Sequence, residues 1–185
     1  AAGAEDRAGP RMKQALEALK TLLESSLNRA HAKMECIGWD GRMGGVWMPS
    51  ANENITFSSI GVTPDTTSEK DTSELVRSLV ESGAEAILYA GGDGTTRDIA
   101  NALESINKDV QEMPLIGVPG GVKMHSGCFA TTPKAAAEVT LAFLLGDLRC
   151  AITEVMDLDE EIYQEGVWKV RMYGEAWTPS SPRFM

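Results

Sequence analysis

The sequence predicts an α/β protein, a doubly wound parallel-sheet domain followed by the start of a β-rich second domain. Three observations carry this. Short apolar runs alternate with helical stripes through the first 148 residues. The runs EAILYA and PLIGV are apolar throughout, as strands buried on both faces of a parallel sheet are. After Arg149 the helical periodicity stops, and AITEVMDL and VWKVRMYGEAW read as two longer strands. The expected division is therefore 1–148 and 149–185, with two strands too few to close a domain of their own.

Met12, Leu16, Leu19 and Leu23 recur at helical intervals, which predicts a helix over Arg11 to Leu27. Short strands follow over Lys33 to Gly38 and Ile55 to Ile60, separated by the glycine loop Gly41 to Gly45. Ser68, with Asp71 three residues on, reads as a capping box. The helix it opens buries Leu75, Val76, Leu79 and Val80 and stops before Gly83. A strand is predicted over Glu85 to Ala90, a helix over Thr96 to Ile106 and a strand over Pro114 to Val118. Thr132 caps a last helix that begins at Pro133, the favoured first position, and ends at Gly146.

Composition narrows the function. The 185 residues are 43% hydrophobic and 24% charged, an ordinary globular balance. A net charge of −10 excludes the basic surface that nucleic acids and anionic membranes require. No apolar run approaches the ~20 residues that span a bilayer, and AAGAEDRAGPRMKQ has no apolar signal core. A cytoplasmic protein is expected. Cys36, Cys128 and Cys150 are odd in number and lack CxxC spacing, which fits packed thiols in a reduced compartment. His31 and His125 add no standard metal spacing, so the metal ligands stay open. The acidic run from Glu154 to Glu165 reads as a solvated strand end and turn.

The chemistry is expected in Gly91-Gly92-Asp93-Gly94-Thr95, between a buried strand and a helix. Ligands of open α/β sheets sit at the carboxyl ends of strands. Glycines there admit positive φ and a close backbone approach, and helix-start amides favour negative charge. Asp93 would repel a bare phosphate, so it should face a hydroxyl or a magnesium ion. It can orient a hydroxyl and accept its proton during phosphoryl transfer. The competing reading is a plain tight turn, with Thr95 and Asp98 as a helix cap and its partner.

A second glycine-rich loop, Gly117-Val118-Pro119-Gly120-Gly121-Val122-Lys123-Met124-His125-Ser126, follows the next strand and should reach the same sheet edge. Gly120 and Gly121 can admit a ligand. Lys123 can neutralise phosphate, His125 can orient a hydroxyl or phosphate, and Ser126 can donate a hydrogen bond. Arg97 is a phosphate contact or an exposed charge.

With these residues in place, "AGGDGTTRDIA", "LIGVPGGVKMHSGCFATTPKAAAEV" and "EVMDLDEE" resemble the ATP-NAD kinase-like family that includes the acetoin-catabolism X proteins, within the NAD, diacylglycerol and sphingosine kinase group. The resemblance spans roughly Leu75 to Tyr173. It implies a two-domain kinase that uses ATP and Mg2+, with the active site between the domains. By match, Asp93 would serve the 2′-hydroxyl of the NAD adenosine ribose, and Gly91, Gly92, Gly94 and Thr95 would line the nucleotide site. It also implies homo-oligomers. A first strand and an Asn-Pro-x-Ala-Gly type loop ahead of the first helix are implied too, and nothing before Met12 reads that way. Gly120 stands where the resemblance implies a small residue, often alanine, and the difference is expected to change little. A nucleotide-binding or regulatory module, or a kinase with another small-molecule or lipid acceptor, remains the alternative.

Overall fold

A computed structural model describes residues 7–25, 32–106, 113–121, 124–158 and 169–180. Helix α1 spans Ala8–Ser25 and buries Ala15, Leu16, Leu19 and Leu23, the predicted stripe. It carries no acidic first turn and no basic last turn, so tertiary burial holds it. Each buried leucine contributes about 1.5–3 kcal/mol as an upper bound. Strand β1 (Met34–Asp40) pairs in parallel with β2 (Ile55–Val62), Met34 opposite Ile55 and Gly38 opposite Ser59. Between them the glycine loop folds onto itself. Gly41 takes φ 87°, and the amides of Gly44 and Val46 both return to its carbonyl.

Helix α2 (Glu69–Glu81) starts at the predicted cap: the Asp71 carboxylate accepts from the Ser68 amide and hydroxyl, 2.7 Å each. Gly83 follows it with φ 76°. Strand β3 (Ile87–Gly91) pairs in parallel with β4 (Leu115–Pro119), from Ile87 opposite Leu115 to Gly91 opposite Pro119. Helix α3 (Asp93–Ile106) lies between them in sequence. It starts three residues before the predicted Thr96. Thr95 and Asp98 are therefore inside the helix and do not form a cap pair. Helix α4 (Pro133–Leu144) is capped by the Thr132 hydroxyl, which accepts from the Ala135 amide at 3.0 Å.

The β3–β4 ladder is covered on both faces. Ile87, Tyr89 and Leu115 pack with Val76, Ile99 and Leu103 of α2 and α3. The alternate residues Ile116 and Val118 pack with Ala15 of α1 and Ala136 and Val139 of α4. This is the doubly wound arrangement, and it is why these strands read as unbroken apolar runs.

One feature departs from the expected single sheet. The parallel strands form two separate ladders, β1–β2 and β3–β4. Between them lies a cavity of about 750 Å³, bordered by the consecutive residues Met34 to Gly38 of β1 and Ile87 to Ala90 of β3. A cavity over the face of a sheet meets every second residue of a strand, whereas one that meets every residue lies along the strand's edge. Leu16 and Leu19 of α1 and Leu75 and Leu79 of α2 also line it.

The two longer runs after Arg149 form an antiparallel hairpin, β5 (Cys150–Leu158) and β6 (Val170–Pro179), Cys150 opposite Pro179 and Leu158 opposite Val170. The acidic turn from Asp159 to Gly166 and Trp168 lie outside the described residues. The hairpin is docked: Trp177 bridges to Pro114, and the Thr178 hydroxyl donates to the Leu115 carbonyl at 2.8 Å.

Candidate active site at the carboxyl ends of β3 and β4

Parallel pairing of β3 and β4 brings their following loops side by side, and the ladder extends one step further. The Gly120 amide donates to the Gly91 carbonyl at 2.9 Å. The second loop is stitched back onto its own strand, the Gly117 amide donating to the Cys128 carbonyl and the Ala130 amide to the Gly117 carbonyl. Gly117 makes this possible, because a Cβ there would lie 2.5 Å from Phe129 Cδ1. Phe129 then meets Tyr89 edge to face at 5.7 Å. The Tyr89 hydroxyl shares a 2.6 Å hydrogen bond with Thr96 Oγ1 under the first turn of α3, and burial pushes that phenol well above its ordinary range.

Asp93 is the junction of the two loops. Its carboxylate, 9% exposed, faces the protein. Oδ1 accepts from the Ser126 amide at 2.8 Å and the His125 amide at 3.1 Å. Oδ2 lies 2.9 Å from the same His125 amide and 3.1 Å from His125 Nδ1. The carboxylate thus binds one loop to the other across 32 residues of sequence. Its negative charge also sits in the first turn of α3, where the helix dipole favours it. Cys128 is buried beneath, its thiol pushed up to about 12 by burial and then by the Asp93 charge. It stays a packed, protonated thiol, not a nucleophile.

The glycines divide into two kinds. None of Gly91, Gly92, Gly94 and Gly120 has positive φ, so the expected conformational reason does not apply. What counts is the missing Cβ. At Gly91 a Cβ would collide with the Thr95 side chain, and at Gly120 it would lie 2.8 Å from the Gly91 carbonyl oxygen. Alanine at 120 is therefore not equivalent, because the obstacle is backbone. At Gly92 the nearest atoms are 3.9 Å away on Met124, and at Gly94 the nearest is Asp157 Oδ2 at 3.7 Å. Those two, with Gly121, which approaches only the flexible end of Met124 at 3.1 Å, leave the backbone open.

Ser126 makes its side-chain hydrogen bonds to β5. Its hydroxyl, in a residue 5% exposed, donates to the Met156 carbonyl at 3.0 Å and accepts from the Met156 amide at 2.9 Å. It fastens the loop to β5. Thr95 is half-buried and borders the 750 Å³ cavity, which Asp93 does not line. Lys123 lies outside the described residues.

The hairpin contributes residues that the sequence reading did not single out. Arg97 pairs with Asp157 at 2.8 Å and reaches Asp98 at 3.6 Å. Its guanidinium lies 5.4 Å from the Tyr173 ring, whose other cation, Arg171, is at 4.4 Å. Burial raises the Asp98 carboxyl, with Arg97 opposing it. A second cavity of about 460 Å³ lies here, bordered by Arg97, Asn101, Glu104, Tyr173 and Trp177. Asp157 sat within the acidic run read as solvated, and only its place in "EVMDLDEE" hinted otherwise.

Among the described residues no group of three His, Cys, Asp or Glu could hold a metal ion. Magnesium commonly needs only one or two carboxylates when substrate phosphates supply the rest.

A doubly wound α/β body with two glycine-rich loops at one sheet edge defines a nucleotide-binding class of protein. The family model for the ATP-NAD kinase N-terminal domain matches residues 12–148, well over half of the chain. The chain belongs to that family, which places it among kinase-type phosphotransferases. No curated protein and no solved structure matches it. No described helix is long and apolar enough to cross a membrane.

Proposed function

We propose that the protein transfers a phosphoryl group from ATP to the 2′-hydroxyl of the adenosine ribose of NAD. The observation that carries this is the junction at Asp93, which sets the two glycine-rich loops against each other at the start of α3. The open backbone at Gly92, Gly94 and Gly121 lets a triphosphate approach, and the α3 amides favour its charge. Gly91, Gly120 and Thr95 shape the turn, and Lys123 adds positive charge. Magnesium on the triphosphate supplies charge neutralisation in the transferring group. In this reading residues 1–148 form the nucleotide-binding domain and 149–185 begin a β-rich one.

The cytoplasmic setting is supported by three free thiols. Homo-oligomerisation is supported by Ile152 and Met172, 56% and 46% exposed on the hairpin.

The second reading, a nucleotide-binding module without turnover, is favoured by one observation: both oxygens of Asp93 are already engaged. Calorimetric titration with NAD and with ATP–magnesium, combined with an assay for NADP, separates the two. Saturable NAD binding with NADP formed supports the kinase. Binding without product supports the module. Absence of binding to either ligand by folded protein removes both.

A further inference from the structure

We infer that Asp157 is a second carboxylate of the acceptor site and accepts the hydroxyl next to the reacting one, the 3′-hydroxyl of the adenosine ribose. This rests on the phosphotransferase reading. The three open glycine positions are not alike. Among the described residues, a Cβ at Gly92 or Gly121 would approach only Met124, whereas one at Gly94 would lie 3.7 Å from Asp157 Oδ2. A backbone left open beside a carboxylate suits a ligand group that donates a hydrogen bond. A phosphate oxygen carries the same sign of charge and is repelled there, whereas a sugar hydroxyl donates. The acceptor oxygen and the γ-phosphate must meet at this turn, and Asp157 marks the acceptor's side of it.

Asp157 is fixed to the Asp93 junction through a single residue. The Ser126 amide donates to Asp93 Oδ1 at 2.8 Å, while the Ser126 hydroxyl bonds both polar groups of Met156, the residue before Asp157. Asp93 in turn precedes Gly94 in the chain. The two carboxylates therefore flank one backbone position, Asp93 from the start of α3 and Asp157 from the end of β5. Asp157 also has capacity to spare. Among the described residues, Oδ1 accepts from the Leu158 amide at 2.7 Å and Oδ2 from Arg97 at 2.8 Å. An ionised carboxylate offers about four lone-pair directions, so room for a ligand donor is left. Arg97, one helical turn beyond Asp93, brings a positive charge that offsets the second acid so near the first.

This arrangement selects a class of acceptor. The 2′- and 3′-hydroxyls of a ribose lie side by side on one face of the ring. Two carboxylates at one turn accept one each, Asp93 the reacting 2′-hydroxyl and Asp157 its neighbour. The acceptor is then a vicinal cis-diol, and an alcohol with a lone hydroxyl, as in a lipid, leaves Asp157 without its partner.

The test crosses the ligand with the residue. Wild type, Asp157→Asn and Asp157→Ala are titrated calorimetrically with NAD and with its analogue lacking the adenosine 3′-hydroxyl, and NADP formation from NAD is assayed alongside. Wild type is expected to favour NAD over the analogue about 10- to 100-fold, the usual worth of a hydrogen bond to a charged group. Asp157→Ala should lose NAD affinity by a similar factor, while its affinity for the analogue stays within about threefold of wild type. Asp157→Asn, whose amide oxygen can still accept from Leu158 and Arg97, keeps the tie to α3 and should fall between. An Asp157 that serves only as that tie gives another pattern, both ligands weakened equally with the preference for NAD intact, and this overturns the inference. A wild type that does not distinguish the two ligands also overturns it, and this comparison needs no variant. A wild type that shows the preference but forms no NADP counts against the phosphotransferase reading alone. Folded protein that binds neither ligand overturns both.

Discussion

Gly92 and Gly120 differ in what surrounds the absent side chain, and that difference is measurable. A methyl at 120 meets the Gly91 carbonyl oxygen at 2.8 Å, within the backbone that joins the two loops. Gly120→Ala is expected to cost about 1–3 kcal/mol in urea unfolding, the usual range for overpacking a tight site. A methyl at 92 meets nothing closer than 3.9 Å. Gly92→Ala should stay within about 0.5 kcal/mol of wild type, while weakening ATP–magnesium binding by calorimetry if the triphosphate approaches that backbone. Equal stability losses in the two variants would contradict the packing described here. The same logic explains why Asp93 belongs among glycines. It is the anion that the helix start and the second loop hold, and the glycines leave room for both loops to approach it.

At the scale of the elements, the gap between β1 and β3 is the least settled part of the packing. The edges of β1 and β3 that border it share no ladder, and the surrounding helices present apolar side chains to it. A five-residue apolar strand fused ahead of Ala1 through a short loop is expected to pair there and join the two ladders. Amide exchange at Glu35 to Gly38 and Leu88 to Ala90 should slow, and the melting temperature should rise. Unchanged exchange with an unchanged melting temperature would mean that the two ladders already close on each other in solution. The caps are independent of this. The Ser68–Asp71 box and the Thr132 hydroxyl act within a few residues, which is why both were legible before any tertiary structure.

Across the whole molecule, the ties between the hairpin and the α/β body include Ser126 to Met156, Arg97 to Asp157 and Thr178 to Leu115. Ser126→Ala removes a buried hydroxyl and strands both polar groups of Met156. The expected cost is about 1–3 kcal/mol, with faster amide exchange concentrated in β5. A purely ligand-contacting Ser126 would give the other result, weakened nucleotide binding at unchanged stability. Ser126 and His125 are consecutive in the second loop, so the tie to Met156 also steadies the loop that meets Asp93.

The sequence by itself determined where the helices and strands lie, because periodicity, caps and the glycines at 83 and 146 act over a few residues. It also placed Gly91 to Thr95 and Gly120 to Ser126 at one sheet edge, because parallel strands aligned side by side must end together. Only the tertiary structure decided which way the side chains turn. Asp93 and His125 are 32 residues apart, Ser126 and Met156 are 30, and neither partner carries a local signal for the other. The reading of Asp93 as open to a hydroxyl, and of Ser126 as a ligand donor, followed from residue type. Both side chains are also engaged by groups that folding delivers from far along the chain, because a buried polar atom is satisfied by whatever lies beside it. The split between β1 and β3 had a hint only in the resemblance, which implies a strand ahead of the first helix; the composition of β1 and β3 carries no sign of it, since strand order depends on which edges meet.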